Sequence, residues 1–249
     1  MYQFFVEPSQ IQGNRIVITG SDVNHIKNVL RMKPGEKIRV CTRNGQNYFC
    51  SISDITESFV RADILEKEAE STELPCRIYL FQGLPKNDKM EWIIQKTVEL
   101  GVYEVIPVAM KNCVVKLDDK KAKSKVMRWQ AIAESAAKQS KRSLIPEVKM
   151  PMSYKEAVAY AKELDVKLVP YENEHGMAGT KAAMEQIKKG ESIAVFIGPE
   201  GGFAPEEIAL VQDEMQLISL GKRILRTETA GIAALAILGY QLESSDMIE

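Results

Sequence analysis

Apolar residues recur along this chain with two different periods, and the change falls near residue 75. Upstream they alternate with polar ones: Lys37-Ile-Arg-Val-Cys-Thr42 and Asn47-Tyr-Phe-Cys-Ser-Ile52 each read as a half-buried strand. The four residues between them, Arg43-Asn44-Gly45-Gln46, place Asn-Gly at the centre, the strongest short signal for a hairpin turn. A third strand is expected over 59–65, and Ser21 or Asp22 caps a helix reaching about Met32. This pattern predicts a small β-rich domain over residues 1–70, a barrel, with 66–75 as a charged linker.

Downstream, short apolar runs alternate with 3.6-residue periodicity, which predicts a parallel α/β sheet over 71–249. Strands are expected at 77–82, 104–108, 167–171, 192–198 and 216–220. Between the first two, residues 87–100 carry Met90, Ile93, Ile94 and Thr97 as one apolar stripe, with Gly101 as the C-cap. Residues 118–141 repeat the pattern with Val126, Trp129, Ile132, Ala133 and Ala136 inward and lysines opposite. The last helix, 227–242, is apolar nearly all round and rich in Ala and Gly, so it must be covered on every side. Two readings stay open for it, a central core helix or a subunit interface.

At 249 residues and 45% apolar content, one large or two unequal domains are expected. No run of 18 apolar residues appears, and Met1 to Val6 is too short for a signal peptide, so a cytoplasmic protein without a membrane span is expected. Four scattered cysteines, no C-x-x-C and two histidines argue against a metal site. The net charge of -1 hides a segregation. Residues 27–43 hold six basic groups against Glu36, and residues 111–149 hold eleven against four acidic ones. Such zones suggest a localised polyanion footprint; lysines 120–125 read equally well as a solvated helix face.

Two runs near the C-terminus carry the chemistry: Ile197-Gly-Pro-Glu-Gly-Gly-Phe203 and Leu220-Gly-Lys-Arg-Ile-Leu-Arg-Thr-Glu-Thr-Ala-Gly231. Each sits where an apolar strand gives way to a helix, and glycines there let a ligand approach bare backbone. A phosphate site is disfavoured. No Gly-Lys-Ser/Thr and no G-x-G-x-x-G is present, and the helix after the first run opens Ala204-Pro205-Glu206-Glu207, its positive end already met by carboxylates. A ligand held mainly by backbone contacts, neutral or cationic near the loop, fits better, and an adenosine-bearing sulfonium such as S-adenosylmethionine is one.

In this order and position the two runs resemble the cofactor loops of the trefoil-knotted SPOUT methyltransferases. More narrowly, GPEGGF followed by LGKRILRTETA is similar to the RsmE family, which methylates N3 of one uridine in 16S ribosomal RNA. His25-Ile-Lys-Asn-Val-Leu-Arg31, Gln95-Lys-Thr-Val-Glu-Leu-Gly-Val102 and Arg128-Trp-Gln-Ala-Ile-Ala-Glu134 agree, so the likeness covers essentially the whole chain. It implies a PUA-like β-barrel followed by a knotted parallel sheet with helices on both faces. It also implies S-adenosylmethionine as cofactor, rRNA in the assembled small subunit as substrate, and a homodimer paired through the C-terminal helix. The alternatives are a SPOUT enzyme acting on tRNA, or a non-catalytic ribosome-assembly factor.

On this resemblance the cofactor rests on Val169, Tyr171 and Glu172, on Gly198, Pro199, Glu200, Gly201 and Gly202, and on Leu220, Gly221, Ile224, Leu225 and Arg226. Arg226 is the expected cation opposite the uracil oxygens, and Glu228 the carboxylate that takes a proton or orients Arg226. RNA contact is expected at His25, Lys27, Arg31 and Arg43, extended by Arg128 and Arg142.

Overall fold

A computed structural model describes residues 1–42, 45–68 and 71–245. The expected turn at Arg43 and Asn44 lies outside the described residues. The chain divides into two compact units, one comprising Met1–Glu73 and Ala137–Ile145, the other Leu74–Ala136 and Pro146–Glu249. The linear boundary expected at residue 70 leaves out the second contribution to the first unit, which no composition change marks.

In the first unit, β1 (Tyr2–Val6), β2 (Ile11–Gln12), β3 (Arg15–Ile18), β4 (Lys37–Thr42), β5 (Asn47–Ile55) and β6 (Val60–Glu68) form one sheet. Its order is β1-β4-β5-β6-β3-β2, antiparallel except for the parallel β1–β4 pair. Phe4, Val6, Ile16, Ile18, Ile38, Val40, Cys50, Ile52, Val60 and Ala62 all reach one buried core. A single sheet can gather residues from strands so far apart only by curling around them. Helix α1 (Ser21–Asn24) runs into a wide π-helical turn over His25–Val29 and adds Val23 and Ile26 to the core. The helix expected to reach Met32 stops earlier, because Pro34 disfavours helical geometry at Lys33, and Arg31 turns into the left-handed region at φ 54°.

The second unit runs β7 (Arg77–Gly83), α2 (Lys89–Glu99), β8 (Val102–Ala109), α3 (Asp119–Gln139), β9 (Glu147–Val148), β10 (Met152–Ser153) and α4 (Tyr154–Ala161). There follow β11 (Val166–Pro170), α5 (Ala178–Glu185), β12 (Ser192–Ile197), α6 (Pro205–Val211), β13 (Gln216–Ile218) and α7 (Thr227–Ser245). All seven strands are parallel, in the order β10-β8-β7-β12-β11-β13 with β9 also on β8. Period-two alternation sends Tyr79, Phe81, Ala194 and Phe196 to one face, where they pack with Tyr154, Ala157 and Val158 of α4 and Ile208 and Val211 of α6. Phe81 and Phe196 stack at 4.4 Å. The other face is covered by α2 and α7, which also pack on each other. The stripe read from sequence in α2 is its buried face, Met90, Ile93, Ile94 and Thr97, with Val98 added.

Because β7 and β12 are central while the chain winds to opposite edges from them, their carboxyl ends border the crevice where open α/β sheets take ligands. No helix among the described residues is long and apolar enough to cross a membrane.

Candidate functional site

The first glycine run begins where β12, buried along its whole length, ends. Its loop is held largely by backbone contacts. Gly202 N–H donates to Pro199 O at 2.9 Å, and Asn112 Nδ2 donates to Gly201 O and Gly202 O at 3.0 and 3.2 Å. Glu200 accepts from Lys86 N–H at 3.1 Å and pairs with Lys89 at 3.0 Å. Two of the glycines sit where a side chain would force a neighbour to move or strain the backbone. Gly202 sits at φ 66°, and a Cβ there would lie 2.8 Å from Glu172 Oε1; a Cβ on Gly201 would come within 3.0 Å of Asn112 Cβ.

The second run is tied to the first by a hydroxyl relay. Thr227 Oγ1 donates to Gly198 O at 2.6 Å and accepts from the fully buried Gln82 Nε2 at 2.9 Å. Beyond the loop, Glu207 accepts from Ala204 N–H and Lys111 N–H, each at 2.8 Å, so the start of α6 is satisfied by the chain's own carboxylate. That geometry upholds the argument against a phosphate.

Between the runs lie two adjoining hollows. The larger, about 480 Å³, is lined by the glycine loop, Lys89, Glu172, Arg226 and Thr227. The smaller, about 320 Å³, is lined by Tyr171, His175, Ser219, Leu220, Gly221 and Arg223. Pro170, Glu172, Ile224, Leu225 and Ala230 border both, so the hollows form one bilobed cleft. Ile224 is 89% exposed beside it, an apolar surface left open at a ligand-sized hollow. Burial pushes the Glu200 carboxyl up, but hydrogen bonds from Lys89 and from backbone N–H groups outweigh this and hold it below the usual carboxylate range. The same bond raises the Lys89 ammonium against its partial desolvation.

Most of the expected cofactor residues meet at this cleft. Val169 does not; its side chain is fully buried in the core, and the strand end that faces the hollows begins at Pro170. Arg226 lines the larger hollow, exposed and with no ion-pair partner among the described residues. Glu228 lines neither hollow, and its carboxylate lies 3.2 Å from Lys89 rather than against Arg226. Gln82, Lys89, Asn112 and Thr227 were not among the expected residues. Only Lys89 left a trace in sequence, as a cation at the positive end of a helix, where the dipole opposes it.

The basic residues expected to meet RNA are placed variously. His25 is exposed, with its ring edge-on to Phe4 at 6.5 Å. Lys27 pairs with Glu57, and Arg31 is exposed. Arg43 lies outside the described residues. Arg128 is exposed and pairs with Glu91 at 2.8 Å. Arg142 is a correction: at 3% exposure it is buried, its guanidinium clamped by Glu73, so it stabilises the first unit and is closed to a polyanion.

Comparison with known proteins converges on this architecture. The RNA methyltransferase domain family matches residues 72–239, and the RNA methyltransferase PUA domain family matches residues 18–65. Ribosomal RNA small subunit methyltransferase E of Bacillus subtilis is 38% identical over 98% of this chain and 98% of its own. The crystal structure of the Neisseria gonorrhoeae protein of that name, bound to S-adenosyl methionine, superposes with a TM-score of 0.84 at 31% identity, covering 96% of this chain and 97% of that one. A Legionella pneumophila structure in complex with bound cofactor SAM gives 0.83 at 30% identity, with the same coverage.

Proposed function

The chain belongs to the ribosomal RNA small subunit methyltransferase E family, and on that footing we propose that it methylates N3 of a uridine in 16S rRNA within the small ribosomal subunit. The observation that carries the reading is the bilobed cleft at the carboxyl ends of β11, β12 and β13, walled by glycine backbone on one side and by Ile224 and Leu225 on the other. S-adenosylmethionine fits such a cleft: Gly198, Gly201 and Gly202 line it with bare backbone, the apolar residues can face an adenine, and the carboxylates of Glu172 and Glu200 suit a sulfonium.

When bound, that cofactor supplies an electrophilic methyl group. The chain's own part is mostly placement, and holding two reactants at near-attack distance is worth about 7 to 11 kcal/mol in well-oriented systems. Arg226, exposed at the larger hollow and without an ion-pair partner among the described residues, faces the charge that gathers on the uracil carbonyl oxygens. Glu228 lines neither hollow and takes the imide proton by way of an intervening water, a step that contributes roughly 10² to 10⁴-fold in comparable systems. His25, Lys27, Arg31, Arg43 and Arg128 contact the RNA backbone, His25 through its exposed ring.

Two further parts of the reading concern the C-terminal segment. After the edge strand β13 the chain returns to the middle of the sheet, where Thr227 bonds Gly198; this return supports a trefoil knot. On α7, Ala234, Leu235 and Leu238 are buried while Tyr240 is 76% exposed and Ile232 and Ile237 are half-buried, which supports pairing of two subunits through this helix.

The test is mass spectrometry of nucleosides from small-subunit rRNA of a strain lacking the gene and of one complemented by it. Loss and rescue of N3-methyluridine is the expected result. Unchanged N3-methyluridine would overturn the assignment of base and substrate.

A further inference from the structure

We propose that Lys89 is a positioning residue for methyl transfer, tying the glycine loop to the start of α7 and thereby fixing the cofactor wall relative to the proton-accepting carboxylate. The proposal rests on the functional reading above.

Three elements far apart in sequence meet at this ammonium. Lys89 is the first residue of α2; its Nζ lies 3.0 Å from Glu200 Oε1 in the glycine loop and 3.2 Å from Glu228 Oε2 in the first turn of α7. All three side chains are sheltered, with exposures of 28%, 25% and 18%, so the ion pairs are poorly screened. The helix gives no local reason for a cation there, since the α2 N-terminus carries positive partial charge. What makes lysine favourable is the pair of carboxylates brought by the other two elements. Glu200 in turn has glycines on its C-terminal side and Pro199 before it, so its own carboxylate is the loop's main side-chain handle.

The charge count fits a working site. One ammonium between two carboxylates leaves a net negative charge, and Glu172, lining the same hollow, adds to it. That suits a cationic methyl donor. Other charged groups among the described residues here include Arg226 at the hollow and the Asp88–Lys125 pair, 3.8 Å apart, at the start of α2. Without Lys89, the carboxylates of Glu200 and Glu228 repel, Glu200 protonates at a higher pH, and the loop loses its tether to α7.

The experiment uses the full chain, S-adenosylmethionine with a labelled methyl group, and small subunits from a strain lacking the gene. Turnover, KM for the cofactor and the pH profile are measured for the unaltered chain, Lys89→Met and Lys89→Arg. Lys89→Met is expected to lower kcat about 10²-fold and to move the acid limb of the profile to higher pH, while Lys89→Arg restores most of both. Retention of kcat within about twofold, or a loss shared by both variants with an unmoved acid limb, would overturn the proposal. If Lys89→Met does not fold, Lys89→Gln is read against the same outcomes. If the unaltered chain methylates no ribosomal RNA, the functional reading itself fails and this proposal with it, a result distinct from a defect confined to the variants.

Discussion

At the scale of single residues, the sequence speaks clearly where backbone is needed and poorly where charge is. The glycines of the first loop were legible because only glycine tolerates such close approach, and Gly201 makes this testable. A valine there adds branched carbons to a Cβ already 3.0 Å from Asn112. Overpacking of this kind costs about 1 to 3 kcal/mol of stability. The loop can relieve that clash only by shifting, so Gly201→Val should lose S-adenosylmethionine binding in titration calorimetry, with its circular dichroism unchanged. Charged side chains hid their roles because sequence does not show which carboxylate will face them. Arg142 stood in a basic stretch and is nonetheless buried against Glu73, which also accepts from Ser143 N–H at 2.7 Å. Glu73→Gln takes one carboxylate away from that buried guanidinium, and chemical denaturation should show the protein destabilised by about 2 kcal/mol.

At the scale of elements, alternation and periodicity located the long strands and helices, while two-residue strands such as β9 and β10 carry too few positions to show a period. Strand β1 was missed for another reason: Tyr2–Val6 pairs with β4 across a long loop, and no hairpin signal announces a parallel partner. The strands β4 and β5 allow a chemical check. Burial pushes the thiols of Cys41 and Cys50 from the usual 9.0 up to about 12. Both should resist alkylation in the folded protein near pH 8 and react once it is denatured. Linkage gives the sign at alkaline pH. Between 9 and about 12 the unfolded chain has lost these protons and the folded one keeps them, so stability falls as pH rises through that window, visible as a falling unfolding midpoint. For α7, Tyr240→Glu on its exposed side should turn a dimer into a monomer in light scattering if that helix is the subunit contact.

At the scale of the whole molecule, the change of apolar period near residue 75 reported two kinds of architecture correctly, and the parallel sheet followed from it. If phosphate contacts dominate binding, affinity for small-subunit rRNA should fall steeply with salt, the logarithms being linearly related; a flat response in filter binding would remove the basic footprint. The discontinuity of the first unit was not legible, because residues 137–145 begin inside the last turn of α3 and look like its fraying end. Yet these nine residues supply Arg142 to Glu73 and Gln3, and Ser143 to Asn47. A fragment ending at residue 73 should accordingly fail to give a cooperative melt. The same fact sets the order of events on the ribosome that makes this protein: though it begins at the amino terminus, the first unit cannot close until residue 145 has left the exit tunnel, so much of the second unit is translated before the first is finished.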